Sequence, residues 1–191
     1  MKVMKFGGAS MGSASDVLNI KRIVDSTDEP MVLVISAFKG VTDMLLLTSQ
    51  LAASGNKYYE HELNNISTLH YDIIEGLGFD LKTKKQVYNE VEILLDELTN
   101  IFRGVYLIED LSPKTSDKIV SYGERMSLKI INHLLPRHAA IDATKVIKTN
   151  PNFNKHTPDI ELSSELIRKA YNDSSKLMIV SGFISSCATT G

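Results

Sequence analysis

The stretch Met1-Lys2-Val3-Met4-Lys5-Phe6-Gly7-Gly8-Ala9-Ser10 decides how the rest of the chain is read. A short apolar run carrying one buried-looking lysine breaks into two glycines and a serine. This is the pattern of a first strand feeding a glycine loop that opens a helix. Glycines let a backbone come close to a ligand, and the N–H groups of such a turn form a nest for anions. The helix that follows points the positive end of its dipole at the same place. Lys5 then stands at the C-terminal end of the strand, which in an open parallel sheet is the edge where ligands bind. On these residues alone two readings stay open, a phosphate site and a tight strand-to-helix turn with no ligand. A Walker A loop is excluded because no Gly-x-x-x-x-Gly-Lys-Ser/Thr occurs, and there is no Gly-x-Gly-x-x-Gly fingerprint.

Working outward, Ser13 or Ser15 can cap a first helix with an apolar stripe of Val17, Ile20 and Val24. After a turn at Thr27 to Pro30, Met31 to Ile35 is a continuous apolar run, as expected of a parallel strand buried on both faces. It ends in Ser36-Ala37-Phe38-Lys39-Gly40-Val41-Thr42-Asp43, a second strand-to-helix loop that opens on the same sheet edge as the first. Ser36 and Thr42 read as helix caps or as ligand hydroxyls. The next helix runs to about Ala53, with Gly55 as its stop signal.

Residues 56–104 change character. Tyr59, Leu63, Ile66, His70 and Ile73 recur at helical steps, as do Val87, Val91, Leu94, Leu98 and Ile101, with Gly76-Leu77-Gly78 between the series. This predicts a helical hairpin laid on the sheet domain, with Tyr58, His61 and His70 as packing or surface residues. Leu111 to Ser116 reads as a polar loop, and Asp117 to Leu135 as a helix. Inside that helix lies Ser121-Tyr122-Gly123-Glu124-Arg125. A glycine in mid-helix costs about 1 kcal/mol relative to alanine and asks for a reason, such as close packing or ligand approach. Glu124 sits among apolar neighbours and needs a partner, either Arg125 or another basic side chain, or the ammonium group of a ligand. Ala139 to Ile141 predicts a short strand ending at Asp142, and Val146 to Lys148 a small hairpin or edge. Asn150 to Asp159 reads as a polar loop carrying Phe153. A helix over Glu161 to Tyr171 and a last buried strand over Leu177 to Val180 follow.

At 191 residues the chain can bury a sizeable core as one domain. The net charge of −2 points away from a nucleic-acid surface, and no apolar run is long enough to span a membrane. No signal-peptide apolar region is present, and the single Cys187 fits a reducing cytoplasm. The five histidines show no metal-ligand spacing. The chain stops at the mouth of a strand-to-loop turn, so the sequence is expected to be a fragment of a longer protein.

Lys5-Phe6-Gly7-Gly8-Ala9-Ser10, Ser36-Ala37-Phe38-Lys39-Gly40-Val41-Thr42-Asp43 and Ser121-Tyr122-Gly123-Glu124-Arg125, with Thr149-Asn150-Pro151-Asn152-Phe153 and Gly182-Phe183-Ile184, together resemble the aspartate kinases over essentially the whole chain. The long helical insert resembles the lysine-sensitive enzymes and those fused to homoserine dehydrogenase. The resemblance implies the amino-acid-kinase fold, an α/β class αβα sandwich with a mostly parallel sheet, here with an inserted helical hairpin. It implies transfer of the γ-phosphoryl of MgATP to the side-chain carboxylate of L-aspartate, giving 4-phospho-L-aspartate, the first step toward lysine, threonine and methionine.

The resemblance also implies roles at matching positions. Lys5 bridges and neutralises the transferring phosphoryl group, while Gly7, Gly8 and Ser10 hold phosphate oxygens. Ser36, Thr42 and Glu124 hold aspartate, with Glu124 on its α-ammonium, and Phe153 lines the substrate side. ATP with Mg2+ is the implied cosubstrate, with no metal ligand among these residues. A cytoplasmic homo-oligomer, without nucleic-acid or membrane partners, is implied for the full-length enzyme. The chain departs from the family at Ala9, where a threonine hydroxyl is usual. The family's Gly-Arg-Gly-Gly-Ser-Asp segment, nucleoside-binding strands and regulatory ACT domains follow the equivalent of Gly191. Residues 1–191 therefore read as the N-terminal part of a catalytic domain, expected to be inactive alone. The alternatives are another enzyme of the same fold, acting on glutamate, carbamate or a nucleotide, and a non-catalytic module that binds an anion or a partner.

Overall fold

Strands β1 (Lys2–Phe6), β2 (Met31–Ile35), β3 (His138–Ile141) and β5 (Leu177–Ser181) form a parallel sheet in the order β1-β2-β5-β3. The computed structural model that shows this describes residues 1–135, 138–150, 157–171 and 177–189. The apolar runs behave as a parallel sheet requires: Met31, Leu33 and Ile35 of β2 and Leu177, Met178 and Ile179 of β5 are buried. Among the described residues β1 has a neighbour on one side only, and its Lys2, Val3 and Lys5 are exposed. Lys5 is thus not the buried lysine that the apolar run implied.

Helix α1 (Ala14–Asp25) is capped by Ser13, whose hydroxyl accepts from the Asp16 N–H at 3.2 Å, and its stripe of Val17, Ile20 and Val24 is buried. Helix α2 (Val41–Ala53) starts behind Gly40, which takes a left-handed φ of 85°. No side chain caps it, so the capping reading of Ser36 and Thr42 is wrong.

The helical hairpin is α3 (Tyr59–Gly76) and α4 (Leu81–Ile108), the second helix running past the expected end at 104. Asp80 caps α4 by accepting from the N–H groups of Lys82 and Thr83. Val87, Val91, Leu94, Leu98 and Phe102 of α4 are buried, and each such side chain contributes about 1.5–3 kcal/mol on burial. Helix α5 (Pro113–Leu134) begins within the segment read as a loop. Pro113 occupies the first turn, where its missing N–H costs nothing, and the Ser112 hydroxyl accepts from the Thr115 N–H.

Val146 is helical rather than extended, because the Asp142 carboxylate caps a short helix α6 (Ala143–Val146). Only Lys148–Thr149 (β4) is extended, and it pairs in parallel with β6 (Ser186–Cys187). Helix α7 (Ile160–Ala170) is capped by Asp159 and packs on α6 and β4. Helix α2 packs against α3, α4 and α5, and α5 lies on β2, β3 and β5. No helix among the described residues is long and apolar enough to cross a membrane.

Candidate active site at the strand exits

The four parallel strands end on one edge of the sheet, and hydrogen bonds tie their exits to one another. From β1 to β2, the Ser36 N–H donates to the Phe6 carbonyl at 3.2 Å and the Lys39 N–H to Met11 at 3.1 Å. From β2 to β5, the Gly182 N–H donates to the Ile35 carbonyl at 2.5 Å. From β5 to β3, the Ala143 N–H donates to the Ser181 hydroxyl at 2.8 Å. Gly182 permits this closeness, since a Cβ there would lie 3.1 Å from the Ile35 oxygen.

At the β1 exit, Gly8–Ser10 form one 3₁₀ turn, in which Ser10 N–H donates to Gly7 and Met11 N–H to Gly8. The N–H groups of Gly8 and Ala9 have no acceptor among the described residues. A Cβ on Gly7 would meet open space, and one on Gly8 only an ordinary contact, 3.6 Å from Lys39 Cα. The chain's own packing therefore requires neither glycine. Free N–H groups beside an exposed lysine are an arrangement that binds anions. Lys5, Gly7, Gly8 and Ser10 come together here, with Lys39 of the adjoining loop as a second exposed lysine.

Beneath the β2 exit lies Glu124, only 1% exposed. Its Oε1 accepts from the Ala37 N–H at 3.2 Å, and the neighbouring Ser36 side chain also favours the charged form. Its Oε2 is buried without a partner. Burial pushes the carboxyl above its ordinary pKa, opposed by the bonds from Ala37 and Ser36, which favour the charged form. The helix reaches this position because residue 123 is glycine: a Cβ there would lie 2.8 Å from Ala37 Cβ and 3.3 Å from Val41 Cγ1. The Ser127 hydroxyl, donating to the Ser36 carbonyl at 2.7 Å, fixes the same contact from the next turn. Close packing thus accounts for the mid-helix glycine.

Arg125 is not the partner of Glu124. Its Nε lies 3.4 Å from Asp142 and its Nη1 3.8 Å from Glu97. Thr42 lies half-buried in the first turn of α2, near the edge but with no bond to Glu124. Phe153 lies outside the described residues. The sequence reading passed over Phe183 as a site residue. It is 83% exposed with a φ of 62°, and the Ile184 N–H donates across it to the Gly182 carbonyl at 2.7 Å. A non-glycine residue at the centre of so tight a turn is strained, and such strain clusters at functional sites. The Gly-Phe-Ile motif marks the position, but nothing local marks its geometry.

The model of the amino acid kinase family matches residues 1–191. Lysine-sensitive aspartokinase 3 of Escherichia coli is 28% identical over 190 residues, 96% of this chain and 40% of its own length. The bifunctional aspartokinase/homoserine dehydrogenase of Daucus carota is 25% identical over 194 residues, 96% of this chain and 21% of its own length. The solved structure of E. coli aspartokinase III in complex with aspartate and ADP superposes with a TM-score of 0.82 at 27% identity, over 98% of this chain and 42% of that one. The chain thus spans less than half the length of these relatives. A laced parallel edge with a glycine turn on one side and a buried glutamate beneath it, matched end to end by the family model, shows that the chain belongs to the amino acid kinase family, with aspartokinases as its relatives.

Proposed function

We propose that residues 1–191 are the N-terminal part of an aspartate kinase catalytic domain, holding one side of its substrate site. The observation that carries this reading is the Glu124 carboxylate. It is buried, bonded on one oxygen by Ala37 and left unpartnered on the other. A buried carboxylate in that state is completed by a cation, and aspartate brings one in its α-ammonium group. Ser36 precedes Ala37 at the same strand exit, Thr42 lies in the first turn of α2, and the exposed Phe183 follows β5 at the neighbouring strand exit.

In the reaction a side-chain carboxylate oxygen of aspartate attacks the γ-phosphorus of ATP, and the bond to the β–γ bridging oxygen breaks to release ADP. No proton needs to move, because the nucleophile is already ionised. The obstacle is repulsion between two anions, so catalysis is chiefly positioning and charge neutralisation. Lys5 supplies the positive charge, and the N–H groups of Gly8 and Ala9, with Gly7 and Ser10, hold phosphate oxygens. Among the described residues no group of three His, Cys, Asp or Glu gathers that could hold a metal ion. Mg2+ enters with ATP, as the MgATP substrate. We place the full-length protein in the cytoplasm as a homo-oligomer, the setting of an amino-acid biosynthetic enzyme.

The test is hydroxamate trapping of acyl phosphate by the full-length protein, supplied with MgATP and a panel of acceptors. Aspartate is expected to be the only efficient acceptor among aspartate, glutamate and carbamate. Equal turnover of N-acetyl-aspartate, which lacks the ammonium charge, would overturn the role of Glu124.

A further inference from the structure

Arg125 follows Glu124 directly, yet consecutive helix residues do not face one another. The arginine turns away to the other side of α5. Its guanidinium lies 4.8 Å from the centre of the Tyr122 ring, with Asp142 on Nε and Glu97 on Nη1. The Tyr122 hydroxyl donates to the same Glu97 oxygen at 2.8 Å. Asp142 is committed at the other end: its Oδ1 accepts from the Thr144 N–H at 3.0 Å and the Thr144 hydroxyl at 2.7 Å, capping α6. The next N–H, that of Ala143, holds the Ser181 hydroxyl at the end of β5. One side chain on α5 thus joins the helical insert, the β3 exit and, through the α6 cap, the β5 exit beside Gly182.

We infer that Arg125 is a positioning residue for the substrate site: by bridging Glu97 of α4 and Asp142 after β3, it sets α5 against the strand exits and so holds Glu124 at the Ala37 N–H. This rests on the reading of Glu124 as the residue that meets the substrate ammonium. Both ion pairs are partly exposed, with side-chain exposures of 29% for Arg125, 50% for Glu97 and 19% for Asp142. Pairs of this kind add little to global stability. A positioning role and a structural one therefore predict different measurements.

The experiment uses full-length protein carrying Arg125→Gln, Arg125→Lys, Asp142→Asn or Glu124→Gln, with KM for aspartate, KM for ATP, kcat and Tm measured for each. Arg125→Gln is expected to raise KM for aspartate about tenfold, the scale of one charge-assisted contact, with KM for ATP and Tm nearly unchanged. Asp142→Asn should act in the same direction. Arg125→Lys should restore part of the loss, because lysine keeps the charge but not the planar fork. Both KM values, kcat and Tm declining together would assign Arg125 to general stability and overturn the inference. An unchanged KM for aspartate in Arg125→Gln and Arg125→Lys, beside a raised one in Glu124→Gln, would overturn it too. An unchanged value in Glu124→Gln itself would instead refute the reading of the site. Should Arg125→Gln fail to fold, Arg125→Lys and Asp142→Asn decide by the same criteria.

Discussion

Glu124 and His70 are the buried side chains that keep an unpartnered polar atom among the described residues, and they differ in what that atom means. His70 belongs to the helical insert. Its Nδ1–H donates at 2.7 Å to the Ile66 carbonyl one turn back in its own helix, and its ring meets Phe38 edge-on at 5.5 Å. Burial lowers its pKa to about 4, so the ring is neutral and the unpartnered Nε2 is a neutral acceptor. Glu124 belongs to the strand exits, and its bonded partner Ala37 lies 87 residues away in the chain. Burial pushes its carboxyl above the ordinary pKa, opposed by the Ala37 N–H and Ser36, which favour the charged form, and its second oxygen is left without a partner. Burial alone therefore does not mark a site. The informative combination is burial of an acid with an oxygen that the surrounding fold leaves without a partner.

The sharpest way to break this division is at Lys5, which is exposed, lies outside the core and is proposed above as part of the site. Lys5→Ala in the full-length protein is expected to lower kcat about 10²–10³-fold, the scale of losing one transition-state electrostatic contact. Its Tm should stay put, since substitutions on such surfaces move stability by about 0.5 kcal/mol or less. Unchanged turnover at saturating substrates would remove Lys5 from the site.

The two buried groups then predict opposite responses to acid. His70 has a folded pKa of about 4 against 6.5 unfolded, so the stability linked to its neutral form is complete above 6.5 and lost as pH falls toward 4. The full window corresponds to about 3 kcal/mol. Urea unfolding from pH 7.5 to 4 should show this loss, and His70→Leu should flatten it. An acid limb of the same depth in both proteins would mean that His70 is solvated.

Glu124 works the other way. Its raised folded value means that the native state takes up a proton before the unfolded chain does, so this group lowers stability above its folded pKa and stops doing so below its unfolded one. Glu124→Gln is therefore expected to raise stability at pH 7 while weakening aspartate binding, a trade common at functional sites. The gain should vanish toward pH 4. A variant destabilised at pH 7 would show that the carboxylate already has its counter-charge within the chain.

What the sequence made legible follows how local each cause is. The runs Met31 to Ile35 and Leu177 to Val180, the stripe of Val17, Ile20 and Val24, and the two helical series of the insert are periodic patterns, and all of them appear in the fold. The exposure of Lys5 was hidden, because it depends on β1 lying at the edge of the sheet, and strand order is not a local property. The start of α5 and the existence of α6 were hidden by caps at Ser112 and Asp142, within stretches that read as loop or strand. Glu124 was legible as a carboxylate in need of a partner. That the partner would not be Arg125 depends on Glu97 and Asp142, brought together only by packing.

Gly123 stands on the boundary between the two regions and sharpens the comparison with the smallest change. Alanine there is favoured by helix propensity by about 1 kcal/mol. Its methyl group would lie 2.8 Å from Ala37 Cβ, a distance that real Cβ atoms do not tolerate, so the β2 exit or α5 must shift. Overpacking of this kind costs about 1–3 kcal/mol, leaving a net loss of about 1 kcal/mol. The shift falls on the residue whose N–H bonds Glu124. Gly123→Ala should therefore raise KM for aspartate more than its modest loss of stability would suggest, whereas an equally destabilising truncation within the insert, such as Val91→Ala, should leave that KM alone. If both variants raise it equally, the insert and the strand exits are one mechanical unit, and the separation between packing and site drawn from His70 and Glu124 does not hold.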